Sequence, residues 1–412
     1  MRQGSGRGRL GGVGPEIISG ASDNDPTNVG TAAVVGAQTG YRLCWVALLV
    51  APLLWVVLAI AAQVGLVARN DLQSLARQRY GRRVAGVLLV SVVVVNVVTI
   101  AADLQAGAAG IGLLAGVGFR WLVLPLGVAL AALLLAGRYG QVVAALRWVL
   151  VGFVAFAAAA VLARPDWPRL VAGSLAPVLS LRRSELTGAL ALLGTTLTSY
   201  VYVWETVQRG VEEPADQDPR ARLAQARLGA VAGAVFTVVI LWSMLVASAA
   251  TLGRHHQAVA SAQAAAAALR PLAGPLAGEM FAAGLVVSAV VALPVLIAST
   301  AYVIGAQFDW RRGLSQPVGQ ARRFYAVLAA PIALAAVVSL AGIPVLGMLV
   351  AASVIGGFAT PLGLVILVRL ARDRQVMGSR PISARLAGAG WTAAGVTGCL
   401  AVLLVLSAAG LL

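Results

Sequence analysis

Charged residues are scarce in this chain of 412 residues, because Asp, Glu, Lys and Arg together make up only 11% of it. A soluble globular domain carries about 25% charged residues. Hydrophobic residues reach 60%, and the mean hydropathy is +0.89. These values exclude an ordinary soluble domain. They indicate an all-α membrane protein that crosses the bilayer many times, so that spans use up most of its length.

Lysine is absent and cysteine is rare. All 31 basic residues are arginine, and the net charge is +16. Most of these arginines fall in short loops between apolar segments, where positive charge sets membrane topology. We therefore expect no nucleic-acid partner. The two cysteines, Cys44 and Cys399, lie in separate apolar segments and indicate neither a disulfide nor a metal-thiolate site.

Apolar segments divide the chain into about eleven candidate spans, most of which reach the ~20 residues that cross a bilayer. They cover about 13–38, 43–68, 84–115, 119–136, 143–163, 186–208, 226–252, 276–306, 324–342, 345–371 and 387–411. Arginines concentrate in the loops at one end of these spans. The positive-inside rule then places the N-terminus in the cytoplasm and the C-terminus outside. We expect a multi-pass protein of the cell membrane, the inner membrane where a cell has two.

The first segment is interrupted by a polar stretch at residues 22–28, which contains Asp23, Asp25 and Pro26. A carboxylate at the bilayer centre costs at least about 2.5–3.5 kcal/mol. Proline lacks the backbone N–H and clashes with the preceding helical turn. Backbone groups freed at membrane depth are tolerated only against protein or a water-filled cavity. The stretch therefore predicts a broken helix that holds an ion.

A second interruption falls in the sixth segment, where residues 194–199 replace apolar side chains with Gly, Thr and Ser. The two breaks correspond if segments 1–5 and 6–10 are copies of one unit, inverted because each has five spans. Interrupted spans at matching positions point to a transporter site near the midplane. We expect one transporter domain over 1–412, with repeats at about 13–163 and 186–371 and an extra helix at about 387–411.

The two breaks offer oxygen ligands for a cation. Asp25 supplies charge, Asn28 an amide oxygen, Thr195 and Thr198 hydroxyl or main-chain oxygens, and Ser22 its main-chain carbonyl. These are hard donors, and no Met, Cys or His is among them. The set favours a hard divalent ion such as Mg²⁺ or Mn²⁺. We expect one of these ions to be the transported substrate, and we expect no cofactor.

Other ionisable residues at membrane depth are secondary candidates. Asp23 adjoins the proposed ligands. Asp103 is interpreted either as a proton or ion relay or as a buried residue paired with a helix N-terminus or an arginine. Glu205 is interpreted either as a coupling group or as a solvated or arginine-paired carboxylate. Each interruption taken singly also fits a kinked helix or small packing residues.

Several motifs resemble those of one family. Asp25-Pro26-Thr27-Asn28, the turn at 36–41, the stretch 70–75 and Ala102-Asp103-Leu104 are similar to motifs of the Nramp divalent-metal transporters, and the resemblance runs over nearly the whole chain. The resemblance implies a LeuT-like fold, with two inverted five-helix repeats and broken helices 1 and 6.

The departures from the family pattern concern selectivity and coupling. Transition-metal transporters of this family have Ala-Thr-Val-Met-Pro-His where this chain has residues 195–200, so Thr198 replaces the metal-binding Met and Tyr200 the His. Asn96 and Ala106 replace two glutamates of the third helix. The pattern resembles the Nramp-related magnesium-transporter branch. Because thioether sulfur selects soft ions, we expect import of Mg²⁺ and/or Mn²⁺ by alternating access, with weak or absent proton coupling.

Three alternatives remain open at this stage. One is a proton-coupled Mn²⁺/Fe²⁺ importer in which Asp103 accepts the proton. Another is a LeuT-fold carrier of an organic solute, although the central negative charge of Asp25 argues against an anionic substrate. The last is an intramembrane enzyme that uses Asp25 and Asp103 as a carboxylate pair. No Gly-x-Gly-Asp run accompanies these two residues, so we expect that the protein is not an enzyme. We expect a monomer whose partners are the lipid bilayer and the metal ion.

Overall fold

The computed structural model of this protein describes residues 23–135, 157–158, 160–212, 219–253, 276–314, 319–339 and 342–411. Every regular element in these ranges is helical, as the composition predicted. The helices are α1 (Pro26–Thr39), α2 (Cys44–Ala68), α3 (Leu72–Ala115), α4 (Arg120–Leu135), α5 (Trp167–Leu175), α6 (Arg183–Thr196), α7 (Ser199–Val207), α8 (Pro219–Thr251), α9 (Leu276–Phe308), α10 (Arg322–Ser339), α11 (Val345–Arg372), α12 (Arg374–Met377) and α13 (Ala384–Ala408).

Eight helical stretches among the described residues are long and apolar enough to cross a membrane. They correspond to the predicted second, third and sixth to eleventh segments. The fourth segment is the shorter apolar helix α4, and α1 is the described part of the first segment. The rest of the first segment and most of the fifth lie outside the described residues.

Two helices were not predicted as the structure has them. Helix α3 begins at Leu72 rather than near 84, and Gly81, with φ 83° and ψ 171°, interrupts its helical geometry between a polar first part and the apolar span. Helix α5 has nine residues and begins at Trp167, directly after the capping residue Asp166. Neither a polar helix nor one this short produces the long apolar run that marks a span.

The predicted break in the sixth segment is confirmed. Helix α6 ends at Thr196 and α7 begins at Ser199, with Leu197 and Thr198 between them outside helical geometry. Thr198 is extended, with φ −64° and ψ 153°. The chain resumes as a helix of nine residues and then a π-helical turn at Gln208–Glu212. Two half-helices therefore replace one continuous span.

Helices α1, α6 and α7 lie at the centre of the described part of the molecule. Almost every residue of α1, α6 and α7 is buried. Helix α8 packs on α1 and α2, α11 packs on α6 and α13, and α3 packs along α9, α10 and α11. Peripheral helices instead expose apolar side chains, such as Trp121 (84% exposed) on α4 and Val337 (69%) on α10. Such surfaces suit lipid, so the polar breaks are shielded from the bilayer.

Candidate functional site

The site is built on the N-terminus of α1. Asp25 is the residue before the helix, and its Oδ1 accepts a 2.6 Å hydrogen bond from the amide of Asn28. Pro26 at the first helical position needs no N–H partner, so Asp followed by Pro is a favourable helix start. The Asn28 side chain donates back to the Asp23 carbonyl at 2.9 Å. The polar stretch thus forms the start of α1.

A second carboxylate reaches the same helix end from α3. Oδ1 of Asp103 accepts from the backbone N of Thr27 at 2.9 Å and from its Oγ1 at 2.6 Å. Free N–H groups and the helix dipole favour negative charge there. Of the two interpretations of Asp103, the structure therefore shows pairing with a helix N-terminus. That pairing also brings Asp103 beside the predicted ligand Asp25.

Tyr200 of α7 connects the two breaks. Its hydroxyl donates a 3.1 Å hydrogen bond to Oδ2 of Asp25, across 175 positions of sequence. Both residues are buried. The first and sixth segments, which were predicted to share one site, are therefore in direct contact through a carboxylate and a phenol.

The α6–α7 break is held by its neighbour α11. The hydroxyl of Thr360 lies 3.0 Å from the carbonyl oxygen of Leu197, which the break has freed. Gly194 lies against α11 so closely that a Cβ at this position would be 2.6 Å from the Cα of Gly357. The glycine therefore permits a backbone contact that fixes where Thr195 and Thr198 stand.

Several buried oxygen atoms at the two breaks receive no hydrogen bond from the described residues. They are both carboxylate oxygens of Asp23, Oδ1 of Asn28, Oδ2 of Asp103, Oγ1 of Thr195 and Oγ of Ser199. The Thr237 side chain of α8 lies beside Asp23. A buried unsatisfied polar atom costs about 1–3 kcal/mol. An oxygen-liganded cation would satisfy such atoms.

The negative charge of the three buried carboxylates at the site would also be balanced by a cation. Asp23, Asp25 and Asp103 are each at most 1% exposed, and none forms an ion pair with a described residue. No group of three His, Cys, Asp or Glu residues in the described ranges is placed to hold a metal by itself. A cation at this site therefore needs neutral oxygens from amide, hydroxyl or main-chain groups beside the carboxylates.

Two of the secondary candidates, Asn96 and Glu205, contact residues other than the proposed ligands. Asn96 of α3 donates from Nδ2 to Ser299 (3.1 Å) and Thr300 (3.0 Å) of α9. Glu205 pairs with Arg209 at 2.9 Å, one helical turn on, as its alternative interpretation proposed. The predicted ligand Ser22 lies outside the described residues.

Sequence reasoning missed two threonines of α1. Thr27 joins Asp103 to the helix start, and the hydroxyl of Thr31 lies 2.7 Å from that of Ser353 on α11. Both contacts join residues far apart in the chain. The available signal was weak: a polar residue on an otherwise apolar helix that enters the site.

The family profile described as "Natural resistance-associated macrophage protein-like", or Nramp, matches residues 16–407. The chain belongs to the Nramp family. The predicted family resemblance is therefore confirmed, whereas membership of the magnesium-related branch stays a prediction.

Curated Nramp relatives share about a quarter of the sequence. The "Divalent metal cation transporter MntH" of Deinococcus radiodurans is 28% identical over 389 residues, which are 93% of this chain and 86% of the relative. The protein of the same name from Aeromonas hydrophila is 27% identical over 373 residues, covering 89% and 88%. Both are named as transporters, in agreement with the prediction that this Nramp protein is not an enzyme.

Solved structures show the fold. A manganese transporter of Eremococcus coleocola superposes with a TM-score of 0.76 at 17% identity, covering 99% of this chain and 89% of that one. The nucleobase-cation-symport-1 family transporter Mhp1 superposes with a TM-score of 0.59 at 16% identity, covering 94% and 90%. The predicted LeuT-like fold is confirmed by these matches.

Proposed function

We propose that this Nramp protein moves divalent metal cations across the membrane through the site between the start of α1 and the α6–α7 break. The observation that carries the proposal is the set of buried oxygens without donors around Asp25 and Tyr200. The relatives' names, divalent metal cation transporter and manganese transporter, support the same class of substrate.

We propose Mg²⁺ and/or Mn²⁺ as the transported ions. The ligands are Asp25, Asn28, Thr195 and Thr198, with the main-chain carbonyl of Ser22. Each carboxylate oxygen of Asp25 already accepts one hydrogen bond, but its second lone pair remains for a cation. All of these donors are hard oxygens, which do not discriminate against Mg²⁺ as a thioether would.

We propose weak or absent proton coupling. Asn96 cannot titrate, and it is held between two hydroxyl groups of α9. A phenol such as that of Tyr200 has an ordinary pKa near 10 and is a poor proton carrier at neutral pH. The side chains that occupy these positions therefore do not provide a proton path.

A second candidate is a proton-coupled Mn²⁺/Fe²⁺ importer. The position of Asp103 supports this candidate, because the buried carboxylate lies at the site and its Oδ2 has no hydrogen-bond donor among the described residues. In this version Asp103 takes up the proton that accompanies the metal.

Alternating access requires two units that move against each other. We propose that the whole chain forms one transporter domain with inverted repeats at about 13–163 and 186–371, and an extra helix at about 387–411. The protein would lie in the cell membrane with its N-terminus in the cytoplasm.

A competition experiment tests the choice of ion. Uptake of Mn²⁺ into proteoliposomes is measured while the external Mg²⁺ concentration is raised. We expect Mg²⁺ to inhibit Mn²⁺ uptake at comparable concentrations, since the oxygen site binds both. Inhibition by Fe²⁺ but not by a large excess of Mg²⁺ would favour the proton-coupled alternative.

A further inference from the structure

A cavity of about 570 Å³ lies away from the two helix breaks, where several helices leave the apolar region. Its walls are the end of α2, the start of α8 and residues 375–380, which belong to the connection between α11 and α13. Helix α2 ends at Ala68, and the apolar stretch of α8 begins at Ala221. The cavity therefore lies at the level of the membrane boundary.

The lining of this cavity is strongly basic. Arg69, Arg222 and Arg380 line it, and no acidic residue in the described ranges does. Arg222 is buried, at 5% exposure, while Arg69 and Arg380 are exposed. Asp373, the acidic residue nearest in sequence to the 375–380 wall, pairs with Arg79 instead. Positive topology signals explain arginines in a loop, but not their convergence from three chain segments on one cavity.

Hydrogen bonds from neighbouring helices hold the wall that carries Arg380. Gln63 of α2 donates from Nε2 to the Arg380 carbonyl at 3.2 Å, and Arg227 of α8 donates to Oε1 of the same glutamine at 3.2 Å. The amide of Ile382 donates to the carbonyl of Ala371 at 3.0 Å, closing the connection on itself. The cavity is thus held between three helices by hydrogen bonds.

The remainder of the lining is apolar. Leu66 of α2, Leu223 of α8 and Met377 of α12 contribute to it. A cationic surface beside an apolar one, at the membrane boundary, suits a ligand with a charged head and an apolar body. Guanidinium groups bind phosphate through paired hydrogen bonds, and basic pockets between membrane helices bind anionic headgroups.

We propose that this cavity binds a phosphate ester through Arg69 and Arg380, with the buried Arg222 adding positive charge to its wall. The apolar lining favours an anionic phospholipid as the source of the phosphate. A soluble phosphate ester such as a nucleotide has the same chemistry and would use the same arginines.

Native mass spectrometry of the full chain in detergent tests this proposal. The probes are phosphatidylglycerol, zwitterionic phosphatidylcholine and ATP. The test variant is Arg69→Gln/Arg380→Gln. The matched control is Arg83→Gln/Arg322→Gln, which removes two exposed arginines that do not line the cavity. Thermal unfolding verifies that each variant is folded.

We expect the wild-type chain to retain phosphatidylglycerol in preference to phosphatidylcholine. The cavity double variant should bind it at least about tenfold more weakly, since each lost charge-assisted contact is strong, while the control double variant binds like wild type. Binding of ATP alone, lost in the cavity variant, would support the site with a soluble source. Equal binding in wild type and cavity variant, or equal loss in both double variants, would overturn the proposal.

Discussion

Asp25 joins the start of α1 to α7 through its two carboxylate oxygens. One oxygen caps α1 by accepting from Asn28, and the other accepts from Tyr200 of α7. The capping role alone would not require charge, because an asparagine caps a helix equally well. In the proposed function, the charge binds a cation in a buried site where no basic residue among those described pairs with the carboxylates.

Asp25→Asn should keep the helix start and remove the charge. We expect Mg²⁺ and Mn²⁺ affinity, measured by calorimetry, to fall by more than the ~10–100-fold typical of losing an outer-shell partner. Glu279→Gln is the control, since it neutralises an exposed carboxylate at the start of α9. Unchanged ion binding in the Asp25 variant would refute the site assignment.

Tyr200→Phe should remove the hydroxyl that orients Asp25. We expect a loss of about 10–100-fold in Mn²⁺ affinity, as for other residues that hold a metal ligand in place. Tyr202→Phe is a matched control on the same helix, because the buried Tyr202 hydroxyl has no partner among the described residues. If both variants bind Mn²⁺ alike, Tyr200 has only a packing role.

At the scale of elements, the sequence allowed the break near Thr198 to be predicted, because Gly, Thr and Ser replaced apolar residues there. It did not allow the contact between Tyr200 and Asp25 to be predicted, since that depends on how α1 and α7 cross. The hydrogen bond from Thr360 to the freed carbonyl of Leu197 could not be predicted either. Local composition marks where a helix ends, whereas the partners of its freed groups come from distant segments.

Close packing of α6 on α11 sets the position of the break. Gly194→Ala would place a Cβ against the α11 backbone, and overpacking of this kind costs about 1–3 kcal/mol. We expect a lower thermal midpoint together with reduced transport. Gly395→Ala on α13 is the control, because nothing lies within 4 Å of a Cβ there. An unchanged midpoint for Gly194→Ala would contradict this account of the packing.

An ion pair connects the polar first part of α3 to the α11–α12 junction. Arg79 donates to the Asp373 carboxylate, and this hydrogen bond lowers the pKa of Asp373 below its usual value. A lowered pKa contributes stability that is present above the unfolded value near 3.9 and lost as pH falls through the folded value. The contribution is small because the Arg79 side chain is exposed to solvent.

Arg79→Gln should therefore lower the thermal midpoint at pH 7 and have progressively less effect as the pH falls below about 4. Unfolding of the detergent-purified chain across this pH range measures the difference. Arg83→Gln, which alters a neighbouring exposed arginine, should show no such dependence. A wild-type to Arg79→Gln difference that stays constant down to about pH 2.5 would contradict the assigned pKa direction.

At the scale of the whole molecule, hydropathy predicted the eight spans found among the described residues, and the family motifs predicted the fold. The polar start of α3 and the short α5 escaped prediction because neither has the apolar run of a span. Neither hydropathy nor the family motifs determine which ion is transported. The proposed choice of ion rests on one substitution pattern, in which Thr198 and Tyr200 stand where transition-metal relatives have sulfur and imidazole.

Transport by purified protein in proteoliposomes, with dyes for internal Mg²⁺ and internal pH, tests the proposed choice of ion and the proposed lack of proton coupling together. We expect Mg²⁺ to enter down its gradient, and Mn²⁺ likewise, with little acidification of the lumen. Asp25→Asn should abolish both fluxes. Strong Mn²⁺-driven acidification with no Mg²⁺ flux would contradict both proposals, and would assign the protein to the proton-coupled manganese importers.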